Sequence, residues 1–213
     1  MPQRRRMRPE VRRRQILEEA VRLFRSVGYE GASLRDLAVR VGINKATLYH
    51  YFDSKEEILF TIIDDVGETL YQGLKAVMER ESDPLDVLEA MVRFQIGYVE
   101  DHLHESKVLV EEQKALGPEF AERTRVTQAA ILSLYEKTLL ECMDRGLVRR
   151  VHLATAAFSI LGHINWLYQW YNPEGSLSVR ELTSEIMEIL RNGLFLRKEG
   201  VMEECHTSCE EVG

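Results

Sequence analysis

The sequence predicts an all-α protein in two parts: three N-terminal helices enclosing a helix-turn-helix corner, then six helices forming a larger body. Three observations carry this. Apolar residues recur at helical spacing along most of the chain, whereas strand-like alternation is nearly absent. Helix starts and stops are marked by capping residues, glycines and prolines. Charge is divided: residues 1–60 hold 13 Lys and Arg against 8 Asp and Glu, and the remainder holds 15 against 27. A basic head on an acidic body implies one end that faces nucleic acid.

The elements follow in order. Ile16, Leu17, Ala20, Val21 and Phe24 form one stripe of a first helix that stops at Gly28. Ser33, with Asp36 three residues on, caps a short second helix. Gly42 breaks it, and Asn44 caps a third helix reaching about Tyr51. Ser54 and Glu57 form a capping box opening a long fourth helix to about Arg80. Asp83-Pro84 starts a fifth, to about His102. A sixth ends near Gly117-Pro118, and a seventh spans about Glu119 to Asp144 before Gly146. The eighth is expected as one helix over 154–171, followed by the turn signal Asn172-Pro173-Glu174-Gly175. Ser178 caps a ninth, to about Lys198, and residues 200–213 are expected to form a disordered tail.

The 213 residues are 45% hydrophobic, enough for a sizeable core. No apolar run approaches the roughly 20 residues of a membrane-spanning helix, and no signal-type stretch follows the N-terminal arginines. Three cysteines, Cys142, Cys205 and Cys209, suggest no disulfide framework and fit a reducing cytoplasm. Enzyme constellations are missing. His102, His104 and Glu105 include positions two apart, which diverge on a helix. Cys205-His206-x-x-Cys209 lacks a scaffold. Neither is expected to hold a metal.

Residues 33–51, SLRDLAVRVGINKATLYHY, place Ala38, Gly42 and Leu48 at the spacing of a helix-turn-helix. A small residue lets the helices approach, glycine accepts a left-handed turn, and the later leucine locks the second helix onto the first. Lys45, Thr47, Tyr49 and His50, with Tyr51 beside them, are left outward. They are suited to phosphates and base edges.

The stretch GYEGASLRDLAVRVGINKATLYHYFDSKEEIL (28–59) resembles the DNA-binding domain of the TetR family of bacterial repressors. The resemblance is carried by Gly28-Tyr29, Leu37-Ala38, Val41-Gly42, Leu48-Tyr49-His50-Tyr51-Phe52 and Ser54-Lys55-Glu56-Glu57. It implies a DNA-binding domain over 1–53 and a ligand-binding and dimerisation domain over 54–199. It also implies a homodimer on a palindromic double-stranded operator. Lys45 and Thr47 would read base edges, and Tyr49, His50 and Tyr51 would contact phosphate and position the helix. Ser33, Arg35 and Lys55 would meet phosphate. Ala46 stands where many members have glycine, so contact there could differ. Arg4-Arg5-Arg6 either tracks the DNA backbone or enters a minor groove, or makes only diffuse contacts.

The segment 154–171 is apolar nearly all round, and Val179, Leu182, Ile186, Ile189, Leu190, Gly193 and Leu194 form a stripe beyond it. Such helices need cover on both sides, as in a bundle of two helices from each subunit. Residues 163–178, HINWLYQWYNPEGSLS, with Asn192-Gly193-Leu194, resemble a signature of TetR-family regulators that respond to acyl-coenzyme A thioesters in fatty-acid, aromatic-acid or sterol breakdown. The resemblance implies an acyl-coenzyme A effector and no resident cofactor. Candidate pocket walls between the fourth and eighth helices are Met91, Phe94, Tyr98, Phe120, Leu134, Phe158 and Trp166. Arg93, Arg123 and Arg125 are candidates for the phosphates. The expected function is therefore a ligand-released transcription repressor in the cytoplasm. The alternatives are a repressor answering another hydrophobic molecule, or a ligand-binding protein without operator function.

Overall fold

A computed structural model of the chain describes residues 8–192. Among them no strand forms. The helices are α1 Pro9–Gly31, α2 Leu34–Val41, α3 Lys45–Tyr49, α4 Lys55–Met78, α5 Pro84–Asp101, α6 Leu103–Glu112, α7 Pro118–Asp144, α8 Leu153–Asn165, α9 Leu167–Trp170 and α10 Val179–Asn192. A 3-10 turn, Gln113–Ala115, follows α6.

The expected caps form. Ser33 Oγ accepts from Asp36 N at 3.1 Å and donates to Asp36 Oδ2 at 2.6 Å. Asn44 Oδ1 accepts from Thr47 N, and Ser54 Oγ from Glu57 N. Ser178 and Glu181 close the same kind of box at α10. Each such cap contributes about 1 kcal/mol. Helix α1 breaks at Gly28, then adds one more turn to Gly31. Gly42 lies at φ 72°, ψ 36°. This left-handed turn aims α3 away from α2, and a side chain there would be strained.

The expected single helix over 154–171 is instead two. Helix α8 ends at Asn165, Trp166 stands at the joint, and the one-turn α9 docks on α6. No glycine or proline stands at this break. Docking of Leu167 and Tyr168, both buried, outweighs continuing the helix, and apolar periodicity cannot report it.

Two apolar clusters hold the molecule. The N-terminal one packs Ile16, Phe24, Leu37, Leu48 and Phe52, but does not close at residue 53. It takes in Ile58, Leu59, Ile62 and Ile63 of α4, Val108 of α6 and Leu116. The second cluster centres on α5, α7, α8 and α10, around Met91, Ile96, Tyr135 and Ile164. At about 1.5–3 kcal/mol for each fully buried large side chain, both clusters supply strong driving terms. Helices α4 and α6 link them, since both also touch the body. The arm Arg4-Arg5-Arg6, the end of the last helix with Gly193 and Leu194, and the tail with Cys205, His206 and Cys209 lie outside the described residues.

Candidate DNA-binding face and effector cavity

Helix α3 has one buried residue, Leu48, which is fully covered and anchors it to α1 and α2. That anchoring leaves Lys45, Ala46, Tyr49 and His50 exposed, with Thr47 and Tyr51 half-buried. The Lys45 ammonium lies 5.6 Å from the centre of the Tyr49 ring. Ser33 and Arg35 are exposed at the start of α2, although the Ser33 hydroxyl is engaged in its own cap. Donors and a cation thus share one face around α3, suited to a groove flanked by phosphates.

Lys55 sits differently from the other candidates. Its Nζ donates to Tyr29 O at 2.7 Å and Ala32 O at 3.0 Å, and lies 4.1 Å from the Tyr29 ring centre. It ties the start of α4 to the α1–α2 turn. Glu112, at the end of α6, takes the Tyr29 N–H at 3.1 Å from the other side, and Glu56 takes the Gly117 N–H at 2.6 Å. These links join the head to the body. Spacing within single helices could not reveal them, because Tyr29 and Glu112 are 83 positions apart.

A cavity of about 520 Å³ lies within the body, inside the roughly 300–1,000 Å³ usual for small-molecule sites. Its walls come from α4, α5, α6, α7, α8 and α9. A larger groove of about 680 Å³ runs between α5, α7, α8, α10 and the α7–α8 loop, but touches neither α4 nor α6. Of these two, the first borders α4 and α6, the helices that carry the head.

Of the ten candidate ligand residues, Tyr98, Phe158 and Arg125 line this cavity. Tyr98 donates to Val66 O at 3.1 Å, and burial foremost pushes its phenol up to about 12. Arg125 is exposed and paired with Glu122. The structure puts the others elsewhere. Met91 and Leu134 pack in the body core. Phe94 lies against Gly73 of α4. Phe120 stacks on Phe60 at 4.4 Å, and the Arg123 guanidinium covers the Phe60 ring at 4.3 Å. Arg93 is exposed and does not line the cavity. Trp166 points outward. Helical periodicity identifies an inward side, but not whether that side meets side chains or a void.

The cavity also contains polar residues absent from the sequence expectation. Gln95 is 2% exposed and lines it, together with Asn165. Gln95 interrupts the apolar stripe Met91, Val92, Ile96, Val99, a signal that a search for apolar walls passes over.

Outside, α8 and α10 present an apolar groove. Phe158 and Trp166 are each 59% exposed, Trp170 54% and Ile189 39%. His163, Gly162, Glu185 and Ile186 complete its floor and edges. Leu190, in contrast, turns inward against the body core.

Two family models match the chain. Residues 16–62 match the bacterial regulatory proteins of the tetR family, and residues 81–194 match the tetracyclin repressor-like C-terminal domain. The HTH-type transcriptional repressor KstR2 of Mycobacterium tuberculosis is 24% identical over 196 residues, covering 89% of this chain and 95% of that repressor. The crystal structure of the TetR family regulator PfmR from Thermus thermophilus superposes with a TM-score of 0.80 at 30% identity, covering 85% of this chain and 99% of that one. The structure of AibR in complex with isovaleryl coenzyme A and operator DNA gives 0.79 at 28% identity, covering 86% and 100%.

Proposed function

The chain belongs to the TetR family of DNA-binding transcriptional regulators, and from that premise we propose that it is a dimeric repressor released from a palindromic operator by an acyl-coenzyme A thioester. The observation that carries the ligand-responsive reading is the 520 Å³ cavity bordered by both α4 and α6, the helices shared with the N-terminal core. The likeness to AibR, whose structure holds isovaleryl coenzyme A and operator DNA, supports the thioester. The resemblance of residues 163–178 to the acyl-coenzyme A-responsive signature supports it further. The acyl group occupies the cavity, and Arg125 is the cation at hand for the polar remainder.

The second copy covers the α8–α10 groove, giving a four-helix bundle across a two-fold axis. The two α3 helices then reach successive major grooves, about 34–36 Å apart. Effector binding favours a conformation with the wrong spacing, because a ligand shifts an equilibrium only through differential affinity. Operator DNA must weaken effector binding by the same factor.

The test is a gel shift on the chain's own upstream region. It is titrated with coenzyme A, free fatty acids and acyl-coenzyme A thioesters of several chain lengths. Release at micromolar thioester, with little effect of free coenzyme A, is the expected result. Release by an unrelated compound and by no thioester would remove the effector assignment and leave the regulator.

A further inference from the structure

We propose that Gln95, with Asn165 beside it, is the specificity-determining residue of the effector cavity and donates a hydrogen bond to a neutral carbonyl oxygen on the ligand. This rests on the cavity being the effector site.

Gln95 stands on α5 among apolar neighbours and is almost wholly buried. A buried amide is costly unless its groups are hydrogen-bonded. Behind it, Tyr135 is fully buried and its hydroxyl donates to Gln95 Oε1 at 2.7 Å. Burial also drives the Tyr135 phenol above its usual range, so it remains a donor. With its oxygen taken from behind, Gln95 turns its NH2 toward α8, where Asn165 Oδ1 accepts at 3.3 Å. That single long bond uses one of the two Gln95 amide hydrogens. Asn165 is exposed where α8 meets the cavity; its oxygen is engaged by Gln95, and its NH2 has no protein acceptor among the described residues. Both residues line the cavity. The polar wall is therefore rich in donors and electrically neutral. It suits a carbonyl oxygen. A carboxylate against the buried Gln95 would bring an unpaired charge, since Arg125, the one cation among the described residues that line the cavity, is exposed to solvent. A thioester meets this requirement, and a free fatty acid does not.

The experiment compares acyl-coenzyme A thioesters with S-alkyl-coenzyme A thioethers of equal chain length, which lack only the carbonyl oxygen. In the wild-type chain the thioester should release operator DNA at about fivefold lower concentration, the factor for one neutral hydrogen bond. Gln95→Leu alone would strand the Tyr135 hydroxyl, so the informative variant is Gln95→Leu/Tyr135→Phe, which removes both partners together. It should fold, bind operator and respond to both ligands alike. Tyr135→Phe alone, which frees the Gln95 oxygen to turn, should reduce the preference without abolishing it. Equal potency of thioester and thioether on the wild-type chain overturns the proposal. If neither releases DNA, the thioester reading fails separately, and thermal stabilisation by a medium-chain methyl ketone and by its isosteric terminal alkene decides. Greater stabilisation by the ketone, lost in the double variant, upholds the carbonyl site, and equal stabilisation refutes it.

Discussion

Ile189 and Leu190 are neighbours on α10 and should respond in opposite ways to the same substitution. Ile189 is 39% exposed in the α8–α10 groove, beside Trp166 and Phe158. Leu190 packs on the body core with Met187 and lines the inner groove near Leu88. In a two-fold dimer, Ile189→Glu changes both sides of the interface at once. Losing the burial of an isoleucine withdraws at most about 1.5–3 kcal/mol per subunit, so about 2–4 kcal/mol in all is expected after allowing for the part already covered. The introduced carboxylates add like charge to a face that already carries Glu185. The dimer dissociation constant should rise by about 30- to 1,000-fold, while the melting temperature measured on the monomer barely moves. Leu190→Glu should instead destabilise each subunit by about 2 kcal/mol, because the packing of a partly buried leucine against the body core is lost. Sedimentation equilibrium, thermal unfolding and gel shift distinguish the two. An intact Ile189→Glu dimer at micromolar concentration would refute the placement of the interface.

Further outcomes are expected elsewhere. Lys45→Ala should weaken operator binding and reduce discrimination against mutated operators, checked by competition gel shift. Lys55→Ala should lower the melting temperature and weaken DNA binding about equally on all sequences, because its ammonium holds the Tyr29 and Ala32 carbonyls. Gly73→Ala would put a methyl 2.1 Å from the Phe94 ring, and the forced shift should cost about 1–3 kcal/mol in denaturant unfolding. The Tyr98 phenol should ionise near pH 12 rather than 10, seen as the difference in ultraviolet titration between wild type and Tyr98→Phe. Its folded-state pKa is raised, so its stabilising contribution is complete below pH 10 and lost as the pH climbs toward 12.

The head was legible in the sequence because its determinants are local. Ser33, Gly42, Asn44 and Ser54 act on backbone within four residues of themselves, so caps and turns follow from short-range chemistry. Leu48 inward and Lys45 outward follow from helical period alone. The apolar character of 154–171 and 179–194 likewise foretold faces needing cover. Only the tertiary structure decided which face each residue joined. It put Ile189 outside and Leu190 inside, ended α8 at Asn165, and left Trp166 in the outer groove rather than in the body cavity. A cavity is a place where side chains from six helices fail to meet, and no single helix encodes that. Gln95 and Tyr135, 40 positions apart, and Tyr29 and Glu112 become partners only when distant helices pack. Close packing is a property of their joint geometry, which periodicity along one segment does not contain.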